Sequence, residues 1–370
     1  RSTRMLASFR YELSSARQVD AWLDHLAEAD RRARRSELQK LPEQARDQLR
    51  QKTRQLLPAR VAAGKDLEGG LDVCREVLLA RDRDDEERLR SLRSVVTPDD
   101  EYSLLRRALG LYPVTALAIK TGIARWHAEV RETYSTPTEQ LAVSGELRRY
   151  APAGAAPSGQ FPVYKRDALG IPQPGAAQTQ ALFRRHAPVW VIDTAGAADL
   201  PGRPVWQRGA SAPAVDSSEP VVYRYTSMTR FRGRPRLQLN YLIWFDARPS
   251  AGPLDMLAGR LDGVIWRVTL DDAGQPLVYD SVHPCGCYHL LFPVGDVRLR
   301  DSARQLPEPP LVPAALKLPA PGTRVHLRLS AGAHYLQRVT YRRADPGLSK
   351  YQLAERDALY AIPNGKDGRR

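Results

Sequence analysis

The groups best able to bind a metal ion or undergo redox chemistry are concentrated in one short segment, from Tyr279 to His289. Two of the three cysteines and two of the seven histidines of the chain lie within its last seven residues, 283–289. Nowhere else in the sequence are thiol and imidazole groups so dense. Any metal or thiol chemistry of the protein is therefore expected here.

Four donor-type residues of this segment are each two positions apart: His283, Cys285, Cys287 and His289. In an extended strand they would point to one face, with neighbours about 6.6–7 Å apart along the chain. The outer two would be roughly 20 Å apart, so a straight strand cannot bring all four to one ion. Pro284 and Gly286 favour a bend, which could gather both thiols and at least one imidazole round one site.

The leading hypothesis is a metal site, because thiolate and imidazole together suit zinc or copper, and thiolate favours copper(I). The predicted ligands are His283, Cys285, Cys287 and His289, with His326 as the first candidate from outside the segment. Asp280 could orient a ligand or replace one. A catalytic metal would keep one coordination position open and act as a Lewis acid or redox centre.

Two alternatives use the same cysteines differently. In the first, the protein is a thiol–disulfide redox protein, and Cys285-Gly286-Cys287 is its reactive segment. A disulfide needs Cα atoms roughly 4.4–6.8 Å apart, so Gly286 would have to bend the strand. In the second, the protein is a non-enzymatic scaffold or binding protein, and the two cysteines form a structural disulfide.

The last predicted hairpin supplies two further histidines, His326 and His334. His326 lies on the strand face opposite Val325 and Leu327, and it would meet the cysteines only if this hairpin pairs beside the 279–289 segment. A strand histidine beside Arg328 with no ligand role is equally compatible with the sequence. His334 lies at the turn and is expected to be exposed to solvent. A Cys–His hydrolase dyad with either histidine would need a geometry that the sequence does not fix.

The chain of 370 residues has a formal net charge of +14, and its 56 basic residues comprise 48 arginines and 8 lysines. Arginine in such excess, beside abundant Ala, Leu and Pro, can reflect codon usage. No Lys/Arg run alternates with aromatic residues as in a stacking platform, so we do not expect nucleic-acid binding. An anionic surface or an acidic partner fits the charge.

No apolar run reaches the roughly 18–20 residues that span a bilayer, so no transmembrane span is expected in this chain. The sequence starts at Arg1 without a Met, which is compatible with a removed leader or anchor. Together with the low cysteine usage, this favours a periplasmic or membrane-associated protein, with a cytoplasmic protein as the alternative.

Apolar residues change from a helical period to a period of two at about residue 187, which predicts an α+β protein. Ser14 or Ser15 can cap the helix that carries Trp22, and Leu237 to Phe245 alternates as a strand. We expect an N-terminal helical domain followed by a mainly antiparallel β-sandwich or jelly-roll-like domain. The predicted bounds are 1–150 for the helical domain, 151–186 for an Ala/Pro/Gly-rich linker, 187–345 for the β domain and 346–370 for a C-terminal tail.

Overall fold

This computed structural model describes residues 3–56, 67–97, 112–154, 164–207, 209–250, 258–305, 309–343 and 347–362, together with Gly252, Asp255 and Asp345, and for 112–120 and Arg304 it describes the backbone only. The chain forms two compact units. The first comprises 1–110, 166–171 and 370, and the second comprises 111–165 and 172–369.

The described part of the first unit is helical. Its helices are α1 (Arg4–Phe9), α2 (Ala16–Lys40), α3 (Glu43–Leu56), α4 (Leu67–Arg83) and α5 (Glu86–Val95). Ser15 caps α2 by accepting a hydrogen bond of 3.3 Å from the Gln18 N–H, which confirms the predicted helix start. Trp22 is fully buried, and its indole N–H donates to the Leu6 carbonyl at 2.9 Å. These contacts fix α1 against α2.

The second unit holds the sheet and the remaining described helices. Its helices are α6 (Tyr112–Ser135), α7 (Ala176–His186) and α8 (Asp301–Arg304), with short 3₁₀ turns at Thr138–Gln140, Ala197–Asp199 and Arg356–Ala361. Its strands are β1 (Glu146–Pro152), β3 (Pro172–Gln173), β4 (Val189–Thr194), β5 (Pro201–Val205), β6 (Ala214–Asp216), β7 (Val221–Phe231), β8 (Arg234–Arg248), β9 (Gly259–Leu270), β10 (Pro276–Val282), β11 (Leu290–Pro293), β12 (Thr323–Leu329), β13 (Leu336–Arg343) and β14 (Ser349–Glu355). The two-residue strand β2 (Lys165–Arg166) precedes β3 in the chain.

One large mixed sheet, curled into a half-barrel, organises this unit. Its strands follow the order β11-β10-β9-β8-β7-β14-β1-β4-β12-β13, and β5 also pairs with β8. The α+β class is confirmed. The finer arrangement differs from the expected antiparallel sandwich or jelly roll, because β14 lies between β7 and β1 and is parallel to both, and β4 is parallel to β12.

One face of the sheet carries the main apolar core. Along β8 the predicted face is confirmed, since its five alternating residues are all 0–1% exposed: Leu237, Leu239, Tyr241, Ile243 and Phe245. Phe183 of α7 packs edge-on against Tyr241 with ring centroids 5.5 Å apart, and the Tyr241 hydroxyl donates to the Phe183 carbonyl at 2.8 Å. This core fixes the strands that position the residues described below.

The opposite face of β1, β4, β12 and β13 is polar at its edge. In the strand register, Arg149 of β1 lies beside Val191 of β4, and Val191 lies beside Arg328 of β12. Across the last hairpin, His326 faces Thr340 and Arg328 faces Arg338. Because side chains alternate along strands, the basic residues of these strands share one face.

The predicted domain bounds stay a prediction. The segment predicted as a linker, 151–186, contains α7, and the segment predicted as a tail, 346–370, contains β14. The two compact units of the chain divide near residue 110. Within the described ranges, no helix combines the length and apolar character needed to cross a bilayer.

Candidate functional site

The segment 283–287 is a tight turn between β10 and β11 rather than a strand. The Gly286 N–H donates to the His283 carbonyl at 2.8 Å, and the His283 N–H donates to the Cys287 carbonyl at 3.0 Å. In the four-residue turn 283–286, Pro284 occupies the second position and Gly286 the fourth, and Gly286 has a φ of +84°. These features match a type I turn followed by a G1 bulge, for which Pro and Gly are preferred at these positions. Side chains alternate between two faces only in extended backbone. Because the chain turns here, the four predicted ligands do not share one strand face.

Cys285 and Cys287 lie side by side on this turn, and both are exposed free thiols. The Cys287 N–H donates to the Cys285 sulfur at 3.3 Å. Burial, together with contact with the Cys285 thiol, raises the pKa of Cys287 to about 11. Cys287 is thus protonated at neutral pH, so any reaction of this thiol as a nucleophile first requires loss of its proton.

His283 is held by a buried network of histidines and carboxylates. Its Nδ1 lies 3.2 Å from Asp262 Oδ1, and the other oxygen of Asp262 lies 2.7 Å from Nδ1 of His334. His334 Nε2 lies 3.2 Å from Asp199 Oδ1, an ion-pair contact outside hydrogen-bond geometry, and its ring stacks on Phe245 at 3.8 Å. The imidazole of His283 is therefore engaged by a carboxylate.

The expectation that His334 is exposed is wrong, since the side chain is fully buried. Burial alone would lower its pKa, but Asp199 and Asp262 outweigh that effect and raise it. Burial likewise opposes the charge of Asp262, and its two histidine partners still lower the pKa of this carboxyl. The two carboxylates thus favour the charged form of His334, and the network ties four separate chain segments together.

His289 has different partners. Its Nε2 lies 3.3 Å from Asp280 Oδ1 and 3.3 Å from Arg267 Nη2, and Arg267 itself pairs with Asp280 at 2.5 Å. His289 thus joins a carboxylate–guanidinium pair, whereas His283 contacts the carboxylate of Asp262.

The fifth predicted ligand, His326, lies on β12, which pairs with β4 and β13 rather than beside the 279–289 segment. The structure brings Cys285 and Cys287 together and gives each of the three histidines a different environment. In the described ranges, no group of three or more His, Cys, Asp and Glu side chains is arranged to hold a metal ion. A zinc or copper site at these residues stays a prediction.

His326 instead lines a pocket of about 300 Å³ with a strongly basic wall. The remaining lining residues are Thr138, Leu147, Arg149, Val191, Arg328, Arg338, Thr340, Arg342, Arg343, Asp345 and Leu348. Five arginines and one carboxylate therefore line this space. Alternating positions of β12 and β13 place Arg328, Arg338 and Arg342 on one face with His326, opposite the buried Val325, Leu327 and Leu329.

Two of the pocket arginines are used to satisfy backbone carbonyl groups. Arg328, which is buried, donates to the carbonyls of Thr138, Leu141 and Ala142 at 3.0 Å each. Arg338 donates to the carbonyls of Tyr134 at 2.9 Å and Thr133 at 2.8 Å, and also to that of Thr136, at the C-terminal end of α6. Carbonyl dipoles stabilise these guanidinium groups but leave their net positive charge in place.

The other three arginines of the pocket, Arg149, Arg342 and Arg343, are exposed and make no hydrogen bond or ion pair with the described residues. His326 is 6% exposed, and its Nε2 is buried without a hydrogen-bond partner in the part of the chain that the structure describes. Burial and the charges of Arg342, Arg149 and Arg324 lower the pKa of His326 to about 4. A neutral buried imidazole with one unused nitrogen thus lies among unneutralised guanidinium groups.

The excess of arginine gave no hint of this pocket, because total charge does not locate a site. A local signal was nevertheless present: Arg324, His326 and Arg328 alternate with apolar residues on one predicted strand, and Arg338 and Arg342 repeat the pattern on the next. Pairing these two strands as a hairpin predicts one basic face.

Comparisons with protein-family models, curated proteins and solved structures find no match.

Proposed function

We propose that the protein binds a small anion, or the anionic group of a small molecule, in the pocket lined by His326, Arg149 and Arg342. The observation that carries the proposal is the buried Nε2 of His326, which has no hydrogen-bond partner among the described residues, in a side chain that lines the pocket together with five arginines. A buried polar atom without a partner costs free energy, commonly about 1–3 kcal/mol. A bound anion would supply that partner.

The charge balance of the pocket supports the same conclusion. Asp345 is the one carboxylate among the lining residues, against five arginines. Arg328 and Arg338 are fixed by carbonyl groups, so their positions are set before any ligand arrives. Such pre-positioned charges favour binding, because little side-chain entropy is lost on association.

The shape and chemistry of the pocket limit the ligand class. A volume of about 300 Å³ is at the lower end of small-molecule pockets. Planar guanidinium groups bind carboxylates and phosphates through paired N–H donors. The hydroxyl groups of Thr138 and Thr340 add neutral donors to the lining. A phosphate, sulfate or carboxylate group fits this set of donors.

Isothermal titration calorimetry on the intact chain at low ionic strength tests the proposal, with sulfate, inorganic phosphate and succinate as separate probes. We expect saturable binding of at least one probe. Arg149→Gln should weaken it up to about fivefold, the effect of removing one exposed charge interaction.

Arg148→Gln is the matched control. Arg148 is adjacent on the same strand and also exposed, but it points to the other face and pairs with Glu146 at 3.2 Å. Both variants remove one positive charge, so a general charge effect would weaken binding equally in the two. Equal weakening, or no saturable binding by any probe, would contradict the proposal.

A further inference from the structure

We infer that Cys285 and Cys287 are a reversible dithiol–disulfide pair, a redox site that is separate from the anion pocket and does not depend on it. The first supporting observation is the turn at 283–287. In a straight strand these two residues would be at the upper limit of the spacing that a disulfide spans. The described backbone is bent at Gly286, so this obstacle is absent.

The bend is a property of the local sequence. Gly286 has a φ of +84°, a conformation that L-residues adopt only with strain of about 1–2 kcal/mol, and the two turn hydrogen bonds fix its neighbours. A Cβ built on Gly286 would meet no atom within 4 Å, so the requirement for glycine is conformational and not a matter of space. The sequence Pro-Cys-Gly-Cys thus positions one thiol on each side of the bend.

The two sulfur atoms are already near each other in the dithiol form. The Cys287 N–H donates to the Cys285 sulfur at 3.3 Å, which holds the Cys285 side chain next to Cys287. Both side chains are exposed, so a small disulfide reagent can reach either one. The remaining cysteine, Cys74, is exposed on α4 of the first unit and is distant in sequence. Neighbouring thiols held in contact have a much higher effective concentration for each other than for a second molecule.

The oxidation balances with a small-molecule disulfide, such as glutathione disulfide, as the oxidant. One cysteine thiolate attacks a sulfur of the reagent, forms a mixed disulfide and releases one reduced thiolate. The second cysteine then attacks the protein sulfur of that mixed disulfide, closes the Cys285–Cys287 bond and releases the second thiolate. The protein pair loses two electrons and two protons, and the reagent gains both.

The disulfide would constrain the turn next to a group of packed aromatic rings. Tyr288 follows the turn directly, and its aromatic ring packs against Trp126 at 5.1 Å, His283 at 5.0 Å and Tyr335 at 4.6 Å.

The covalent loop closed by a Cys285–Cys287 disulfide is very small, so the bond removes little chain entropy from the unfolded state. The pair is therefore a redox group and not a stabilising crosslink.

Equilibration in glutathione redox buffers tests the inference on the intact chain carrying Cys74→Ser. Free thiols are trapped by alkylation across a range of ratios of oxidised to reduced glutathione, and the mass of the whole protein is measured. We expect Cys285 and Cys287 to lose reactivity together, with a loss of two hydrogen atoms and no lasting glutathione adduct. Two thiols that stay reactive throughout, stable glutathione adducts, or disulfide-linked dimers would each overturn the inference.

Two glycine variants separate the turn from general destabilisation. Gly286→Ala should raise the ratio of oxidised to reduced glutathione needed for half-oxidation about fivefold, because alanine disfavours the backbone that holds the thiols together. Gly233→Ala is the matched control, since Gly233 also has a positive φ (+76°) and open space for a Cβ, but lies in the β7–β8 turn. Equal shifts in both variants would overturn the role of the turn.

Sulfate binding measured in the reduced and oxidised protein keeps the two proposals distinguishable. Apart from Thr138, Asp345 and Leu348, the pocket residues lie on β1, β4, β12 and β13, and they include neither cysteine. We expect the same affinity in both redox states, so failure of either proposal leaves the other measurable.

Discussion

His326 on β12 and Arg342 on β13 share one face of the last hairpin, and burial together with the Arg342 charge lowers the pKa of His326 to about 4. The imidazole is therefore neutral at pH 7, although it lines a pocket with five arginines. Its affinity for a proton depends on what else occupies the pocket, which makes His326 an indicator of anion binding.

The first prediction concerns the pH dependence of sulfate affinity. A bound anion stabilises the imidazolium form, so it raises the pKa of His326 above about 4. The bound state then takes up a proton, and affinity should increase as pH falls from 7 towards 4. Calorimetry over this range measures the slope. In His326→Gln the extra slope should disappear, and an unchanged slope in that variant would assign the effect to other groups.

A second prediction concerns the stability of the buried network around Asp262. Asp262→Asn removes the carboxylate that contacts both His283 and His334. Loss of one partner of a buried ion pair should lower the free energy of unfolding by about 3 kcal/mol. Urea unfolding at pH 5.5 measures the change. A loss below roughly 0.5 kcal/mol would mean that the network does not hold these segments together.

The same variant has a predictable pH profile. The lowered pKa of Asp262 gives stability above its unfolded pKa of about 3.9, which is lost as pH falls through the folded pKa. The raised pKa of His334 gives stability below its unfolded pKa of about 6.5, which is lost as pH rises through the folded pKa. The difference between wild type and Asp262→Asn should be largest between about pH 4 and pH 6.5. A difference that keeps growing above pH 8 would contradict this assignment.

A third prediction separates structural arginines from ligand-binding ones. Arg338→Lys keeps the charge but loses the fork that bonds the carbonyls of Thr133 and Tyr134, so it should destabilise the protein by about 2 kcal/mol. Arg149→Lys should change stability by less than about 0.5 kcal/mol, because this side chain has no described partner. Thermal or urea unfolding of the pair checks the contrast. Similar losses of stability in the two variants would contradict the distinction between structural and ligand-binding arginines.

A fourth prediction bears on the zinc or copper site expected from the sequence. Any metal that the reduced protein takes up at the β10–β11 turn should depend on Cys285 and Cys287, which lie side by side, and not on His326, which lies on β12. Elemental analysis after incubation with zinc or copper(I) compares Cys285→Ser with His326→Gln. Loss of the metal in His326→Gln would show that the two regions form one site.

Local patterns predicted what depends on local geometry. The change of period at about residue 187 indicated the α+β class, the alternation along β8 identified a buried face, and Ser15 marked a helix start. The order of strands was beyond these patterns, because β14 joins β7 and β1 through pairings more than a hundred residues apart in sequence. Periodicity within a strand carries no information on such partners.

The predicted ligands have different partners in the structure for a physical reason that lies in the turn at 283–287, within the segment that suggested them, and metal binding there stays a prediction. Alternation of faces applies only to extended backbone, and Pro284 with Gly286 makes a turn instead. Both histidines of the segment then find carboxylates, Asp262 for His283 and Asp280 for His289, and these partners lie 21 and 9 residues away in sequence. The bend at Gly286 itself was anticipated, and it favours the pairing of the two thiols.

The most direct test of anion binding is the NMR signal of the His326 imidazole during a sulfate titration, assigned with His326→Gln. His186 is the internal control, since it is also buried with a pKa lowered to about 4, but its Nε2 is bonded to the Gly274 carbonyl at 3.0 Å and it does not line the pocket. We expect a saturable shift of the His326 signal, with the dissociation constant found by calorimetry, and a stationary His186 signal. A His326 signal that stays in place at sulfate concentrations that saturate the calorimetric heat would contradict it.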